Sequence, residues 1–427
     1  MLDIKFIREN VDLVKKNMEN KFQDSSVVDS VLVVDKKVRD LMVDVQKLRH
    51  SRNSLSQEIS SAKKEGDESK IKEVMEKAKK IPKQLNNSEE ELSKLKEELN
   101  SLLTKIPNIM HESVPIGKDD SENVEIKRWG TQTKFDFPVK NHVEILEKLS
   151  LADFDTSAKT SGNGFYYMKG DLGLLNQALI NFAIKFMQSK GYTYIEPPLM
   201  LHKSVLDAAM DTESFKDTIY SIDGEDLHLI GTSEHALLGI HANEAIAEND
   251  LPKKYYSYSM CFRKEIGSHG INEKGLWRTH QFNKVEQFVF CKPEDSYKYY
   301  DELLQNSEEL FQKLGLPYRV IECCSGDLAA WKAKSCDIEV WRPTTESYGE
   351  VTSLTNCTDF QARGIGIRVV YNDGNRVILH TLNNTAIATS RALVAIIENY
   401  QQKDGSIKVP DVLKEYIGKD VITGFVD

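Results

Sequence analysis

The sequence predicts an α+β protein: an N-terminal antiparallel two-helix coiled-coil arm, then a domain built on an antiparallel sheet flanked by helices. Three observations predict it. Apolar residues in the first hundred positions recur in steps of three and four, the seam of a helix that another helix must cover. A short polar segment containing a glycine splits that seam in two. Beyond it, β-type apolar runs follow one another across hairpin-length gaps with few helices between them, which favours an antiparallel over a doubly wound sheet.

The first seam runs through Val31, Val34, Val38, Leu41, Val45, Leu48, Leu55, Ile59 and Ala62, interrupted at Arg52. The second runs through Ile71, Val74, Ala78, Ile81, Leu85, Leu92, Leu95, Leu99, Leu102 and Ile106, with a gap at Ser88. Between them, "KKEGDESK" (Lys63 to Lys70) supplies Gly66 for the reversal. At about 1.5 Å per residue the first helix spans on the order of 45–50 Å. Pro82 removes one helical hydrogen bond and predicts a kink in the returning helix.

Charge is distributed unevenly. The whole chain of 427 residues carries 56 basic and 66 acidic side chains, a formal charge of -10. That balance argues against a protein that coats nucleic acid indiscriminately. Between Lys47 and Lys83, however, eleven basic residues face six acidic ones. A basic distal arm on an acidic protein suits a lever reaching for phosphates. A solvated helix face is the alternative reading of the same charges.

"KIPNIMHESVPIGKDDSENVEI", from Lys105, has two prolines and a cluster of acids and reads as a linker. The expected organisation is a domain at 1–110, a linker at 111–130 and a second domain at 131–427. In the second domain, Asp171 to Tyr192 reads as a helix ending near Gly191. "KKYYSYSMCF", "NKVEQFVFC", "CDIEVWRP", "GEVTSLTNC" and "NRVILHTL" read as strands, and "TSRALVAIIENYQ" as a helix. Six cysteines without a CxxC pair fit thiols in a reducing compartment. The N-terminus lacks a signal-peptide core and no run of about 18 apolar residues suggests a membrane span. A cytoplasmic protein with no membrane partner is expected.

The usual phosphate cradles, GxxxxGK[ST] and GxGxxG, are missing, as are HExxH and GxSxG. A nucleotide site would therefore use side chains on a sheet. "CFRKEIGSHGINEKGLWRTHQFNKVEQFVF", from Cys261, offers them on two strand-like runs flanking a loop with Gly267, Gly270 and Gly275. Arg263 can fork onto a phosphate or carboxylate, Glu265 can accept from an amino group, and Phe282 offers a stacking face. Taken singly, each has a plain alternative: a surface ion pair for Arg263 and Glu265, a core position for Phe282.

This segment resembles the second signature motif of class II aminoacyl-tRNA synthetases, and within them the seryl-tRNA synthetases. The resemblance extends over nearly the whole chain: the N-terminal hairpin, "TSEHAL" from Thr232, "EVTSLTNCTDFQARG" from Glu350 and "TLNNTAIATSRALVAIIENYQ" from Thr381. The wording "TSEH" and "LNNTAIATSR" is similar to the archaeal and eukaryotic branch. The resemblance implies a class II sheet domain and a serine–tRNA ligase. It joins L-serine to ATP as seryl-adenylate, then passes the seryl group to the 3′-terminal adenosine of tRNA-Ser, and of tRNA-Sec where a host has that system.

The same resemblance implies residue roles. Arg263 would bridge the α-phosphate and the serine carboxylate, Glu265 would hold the adenine side, and Lys264 and Thr279 would line the nucleotide. Phe282 would stack on adenine, and Arg391 would meet the triphosphate and the other adenine face. Glu350 and Ser353 would hold Mg²⁺, with Val351 and Thr352 between them along the ATP. Thr232, Ser233, Glu234, Arg263, Glu286 and Thr385 would receive serine. A buried polar site of that kind rejects alanine by leaving its own groups unpaired, whereas threonine must be excluded by size. Such chemistry is positioning plus electrostatics and needs no base, so His280 is expected to be structural.

The resemblance also implies partners. "GYTYIEPPLM" is similar to motif one, whose strand belongs to a dimer interface, so a homodimer is expected, with the arm of one subunit gripping the long variable arm of a tRNA served by the other. Candidate contacts are Lys47, Arg49, Arg52, Lys63, Lys64, Lys77, Lys79 and Lys80. "NNTAIATSR" departs from the glycine-rich third motif of many class II enzymes. A branch that binds serine through zinc has a different N-terminal domain and cysteine pattern, so no zinc is expected. Two rivals remain open on the sequence alone: a homologue that charges a carrier protein, and a non-catalytic coiled-coil scaffold.

Overall fold

The computed structural model describes residues 1–265 and 274–424. The chain divides into two units, Leu2–Pro107 and Asn108–Asp427, with Met1 belonging to the second.

In the first unit, α1 (Ile4–Glu9) and α2 (Val11–Asn20) precede the long helices α3 (Ser26–Glu65) and α4 (Glu68–Leu103). At about 1.5 Å per residue, α3 reaches roughly 60 Å. Val31, Val34, Val38, Val45 and Ala62 of α3 are buried, as are Val74, Ile81 and Leu85 of α4. These are seam positions, and burying each large aliphatic side chain contributes about 1.5–3 kcal/mol. Arg52, the break in the seam, is exposed. α3 ends where Gly66 takes φ 73, a left-handed cap that needs no side chain, and its N–H donates to the Ala62 carbonyl. Pro82 lies within α4 and does not end it.

The second unit is built on one eight-stranded sheet. Its elements are β1 (Val124–Trp129), α5 (Asp171–Ser189), β2 (Thr193–Tyr194), α6 (Ser233–Gly239), β3 (Lys253–Phe262), β4 (Gln281–Cys291), α7 (Ser296–Lys313), β5 (Tyr318–Glu322), β6 (Lys334–Arg342), β7 (Ser347–Thr358), β8 (His380–Ala388) and α8 (Thr389–Asn399). The strand order is β1-β5-β6-β7-β8-β4-β3-β2. Every neighbouring pair is antiparallel except β2 beside β3. Residues 111–130, expected as a linker, thus carry the edge strand β1, paired with β5.

Alternation along the strands divides the sheet into a dry face and a wet one. Val285, Val289, Leu354 and Leu382 share a core with Leu175 and Leu179 of α5, Leu303 and Phe311 of α7, and Leu393 and Ile396 of α8. At the alternate positions of β4 stand Phe282, Lys284 and Glu286, which line a cleft on the other face.

Candidate active site

The cleft has a volume of about 440 Å³. At one end, β4 and β8 place Glu286 opposite Thr385, and Thr385 Oγ1 donates to Glu286 Oε2 at 3.4 Å. Lys284, two residues earlier and so on the same face, brings Nζ to 2.5 Å from the same oxygen. α6 begins at this end. Thr232 is its N-cap, accepting from the Glu234 N–H at 3.2 Å, and Glu234 lies in the first turn. The Glu234 carboxylate accepts from Gln361 Nε2 (2.8 Å) and Asn383 Nδ2 (3.0 Å). Burial pushes the Glu234 carboxyl above its ordinary range, against the pull of Lys284. Burial likewise pushes Glu286 up to about 7; Lys284 opposes that shift and Glu234 adds to it. Two carboxylates with the Thr385 hydroxyl beside one of them suit an ammonium next to a hydroxyl.

At the other end, Arg391 in the first turn of α8 donates from Nη1 to the Glu350 carbonyl (2.9 Å) and pairs with Glu350 Oε2 (3.1 Å). The Glu350 side chain is still 45% accessible, open to the cleft. The surrounding cleft walls work against its charge, but Arg391 outweighs them and holds the carboxyl below the ordinary range. A β-bulge shapes this region. Glu339 pairs with Glu350 and Ile338 with Thr352, so Val351 is the extra residue. Without a bulge, positions three apart on a strand face opposite ways. With it, Glu350 and Ser353 share a face with Asp337, which pairs with Ser353 across the strands. Burial and Glu350 push Asp337 up to about 7, and its buried Oδ1 has no partner among the described residues. This oxygen-only set fits a hard divalent cation such as Mg²⁺ that takes its other ligands from phosphate and water.

Arg263 connects the two ends. It follows β3, donates from Nε to the Gly231 carbonyl (3.1 Å), and holds its guanidinium 5.3 Å from the Phe282 ring centre. His280 fixes its backbone: the Arg263 N–H donates to the His280 carbonyl (2.9 Å), and His280 Nδ1 meets the Arg263 carbonyl at 2.8 Å. A carbonyl only accepts, so Nδ1 carries the proton. His280 thus braces the Arg263 backbone. Glu265 adopts φ 51, a sparsely populated conformation for a residue with a side chain, and pairs with Arg278 at 3.5 Å.

The cleft gathers Thr232, Glu234, Arg263, Glu265, Thr279, Phe282, Glu286, Glu350, Val351, Thr352, Ser353, Thr385 and Arg391. Ser233 and Lys264 are not brought to its lining. Ser233 is buried at the start of α6, and Lys264 places Nζ 5.5 Å from the Tyr220 ring centre. Gly267 and Gly270 lie outside the described residues. Sequence reasoning missed Lys284 and Asn383, although each lies two residues before a site residue on its strand and so shares its face. It also missed Trp277, for which no signal existed. The Trp277 indole has Arg342 at 4.3 Å and Arg391 at 5.6 Å from its ring, in space that a Cβ on Gly349 would fill.

On the arm, Lys47, Arg49, Arg52, Lys63, Lys64, Lys77, Lys79 and Lys80 are all exposed. Four of them pair with acids: Lys47 with Asp44 (3.1 Å), Arg49 with Glu89 (2.7 Å), Lys77 with Glu73 (2.6 Å) and Lys79 with Glu76 (2.5 Å). Exposed pairs of this kind are weak and give way readily to a stronger anion. No helix among the described residues is long and apolar enough to cross a membrane.

Known proteins resemble this chain in sequence and fold. Residues 216–400 match the tRNA synthetase class II core domain (G, H, P, S and T), and residues 1–110 match the seryl-tRNA synthetase N-terminal domain. The serine–tRNA ligase of Methanoregula boonei is 44% identical over 98% of this chain and 99% of its own. The crystal structure of seryl-tRNA synthetase from Pyrococcus horikoshii complexed with ATP matches with a TM-score of 0.92 and 41% identity, covering 100% of both chains. The cytoplasmic serine–tRNA ligase of Naegleria fowleri in complex with AMP matches with a TM-score of 0.86 and 33% identity, over 100% of this chain and 99% of the other. Two domain matches in order, full-length relatives and a shared fold agree: the chain belongs to the seryl-tRNA synthetase family of class II aminoacyl-tRNA synthetases.

Proposed function

We infer that the cleft performs both steps of a serine–tRNA ligase: L-serine and ATP give seryl-adenylate and pyrophosphate, and the seryl group then passes to the 3′-terminal adenosine of tRNA-Ser. One observation carries this reading. Arg263 lines the same cleft as Glu234 and Glu286, suited to an ammonium, and as the Glu350–Arg391 pair, and its charge acts on all three carboxylates. The first step sets an anionic carboxylate against an anionic phosphate, so a guanidinium that holds both removes the repulsion and aligns the attack.

In this reading Glu234 and Glu286 take the serine ammonium, and Thr385 with Glu286 reads the hydroxyl. Phe282 and Arg391 enclose adenine, with Glu265 and Thr279 at its edge and Val351 and Thr352 along the nucleotide. Glu350 and Ser353 would hold Mg²⁺, which when bound draws negative charge from the phosphates. The reading includes no zinc, as the N-terminal domain and cysteine pattern lead one to expect. Ser233 and Lys264 act through the α6 start and the Arg263 strand end rather than by direct contact.

The exposed cations of the arm would engage the phosphates of the long variable arm of tRNA-Ser, with the protein working in the cytoplasm as a homodimer through its motif-one segment. Serine-dependent ATP–pyrophosphate exchange, run with each amino acid in turn, tests the first step, and charging of purified tRNA tests the second. Exchange with serine alone is expected. Folded protein without serine-dependent exchange would refute the reading and favour a scaffold.

A further inference from the structure

Lys332 lines the cleft yet has no part in the roles assigned above. It precedes β6 on a fixed turn: its N–H donates to the Ala329 carbonyl (3.0 Å), and the Ala333 N–H to the Asn356 carbonyl (2.9 Å). Its ammonium donates to Ser335 Oγ at 3.1 Å and to Ser353 Oγ at 3.5 Å. Arg263 enters the cleft from the end of β3, on the far side of β7, β8 and β4. The two cations thus flank the three central strands.

Lys332 and Arg263 both act on Glu234 at the serine end and on Glu350 at the phosphate end. Lys332 lines the same cleft as Glu234 and Glu350 and touches Ser353 beside Glu350, so its ammonium is within the cavity where a carboxylate would meet an α-phosphate. We propose that Lys332 is a further catalytic residue that donates a hydrogen bond to the α-phosphate from the side opposite Arg263.

The inference rests on the site reading given above. In the step, a serine carboxylate oxygen forms a bond to the α-phosphorus as the bond to the bridging oxygen breaks, and that electron pair leaves on pyrophosphate. Lys332 keeps its proton throughout. Its charge offsets what gathers on the non-bridging oxygens, where a compact cation on a flexible stem can follow the changing geometry.

The test is Lys332→Met, with Lys332→Arg beside it to keep the charge. Thermal midpoints verify folding, and exchange kinetics follow. For Lys332→Met the proposal expects KM for serine and ATP to stay within about threefold while kcat falls about 10²–10³-fold, the usual cost of one such donor. A folded Lys332→Met variant with kcat within about threefold of the parent overturns it. Wild-type protein crystallised with the sulfamate analogue of seryl-adenylate gives a second measure that needs no variant. Lys332 Nζ within about 3.5 Å of a sulfamate oxygen supports the assignment, and a longer separation overturns it. An analogue seated between Arg263 and Arg391 but away from Lys332 overturns this inference alone, whereas one bound elsewhere overturns the site reading as well.

Discussion

Lys284 Nζ and Glu286 Oε2 lie 2.5 Å apart, a buried ion pair on alternate positions of one strand. The pair governs how much negative charge the serine end presents. Burial pushes the Glu286 carboxyl up to about 7, and Lys284 keeps it from going higher. Below about 7 the group is protonated and cannot balance an ammonium, so KM for serine is expected to fall as pH rises through about 7. Lys284→Met removes the opposing cation and moves the inflection to higher pH. At neutral pH it should raise KM for serine by about tenfold for every whole step in pH that the inflection moves. Glu286→Gln should erase the inflection. A serine KM that stays flat from about pH 6 to 8.5 in the parent protein would show that Glu286 does not meet the ammonium.

Arg263→Ala removes the group expected to hold both reacting anions. Its backbone is fixed by His280 through main-chain and ring contacts, which the substitution leaves in place. Exchange should fall by at least about 10³-fold, with an unchanged thermal midpoint and retained tRNA binding. Near-normal exchange would remove Arg263 from its role.

Deleting Asp40 to Leu99 and joining the ends shortens α3 and α4 together, so the antiparallel pairing of what remains is kept. The cleft takes all its residues from the second unit. Adenylation should therefore survive while tRNA charging efficiency drops sharply, and a milder, salt-sensitive loss is expected for Lys63 and Lys64 replaced together by alanine. Unchanged charging by the deletion variant would give the arm another purpose.

The arm was legible because its pattern is local. Period, glycine cap and length all act within a few residues, and Val31 to Ala62 shows the seam directly. The cleft is less local. Glu286 and Thr385 meet only because two strands far apart in sequence are neighbours, and the bulge at Val351 that lets Glu350 and Ser353 share a face leaves no mark in the sequence. Motif resemblance supplied those residues; spacing alone did not. Lys284 and Trp277 went unseen because the one reads as an ordinary strand charge and the other as core. The expected linker turned out to hold β1 because an edge strand needs only one apolar-tolerant face and can be rich in charge, as "VEIKRW" is.

Glu398, on α8, anchors a network that ends at Trp277 in the cleft lining. It accepts from Arg342 Nη2 (2.8 Å) and Thr344 Oγ1 (2.8 Å), and His142 Nδ1 meets it at 3.1 Å. His142 Nε2 in turn accepts from the Leu276 N–H (3.1 Å), and Arg342 lies 4.3 Å from the Trp277 ring. Burial resists the Glu398 charge, but hydrogen bonds from His142 and Arg342 bring its carboxyl down to about 2. In the unfolded chain an ordinary glutamate titrates near about 4.3. The stabilisation is therefore complete above about 4.3 and lost as pH falls toward 2, with a total of about 3 kcal/mol. All four tryptophans, Trp129, Trp277, Trp331 and Trp341, belong to the second unit, so fluorescence during urea unfolding reports that unit alone. Glu398→Gln should lose about 3 kcal/mol at pH 7 because Arg342 is left buried without its counter-charge. Near about pH 2.5 the variant and the parent should converge. Because the same network carries Trp277 and, through it, Arg391, the variant should also lower exchange turnover with ATP more than it changes KM for serine. Equal stability of the two proteins at about pH 7 would show that the network contributes nothing to stability.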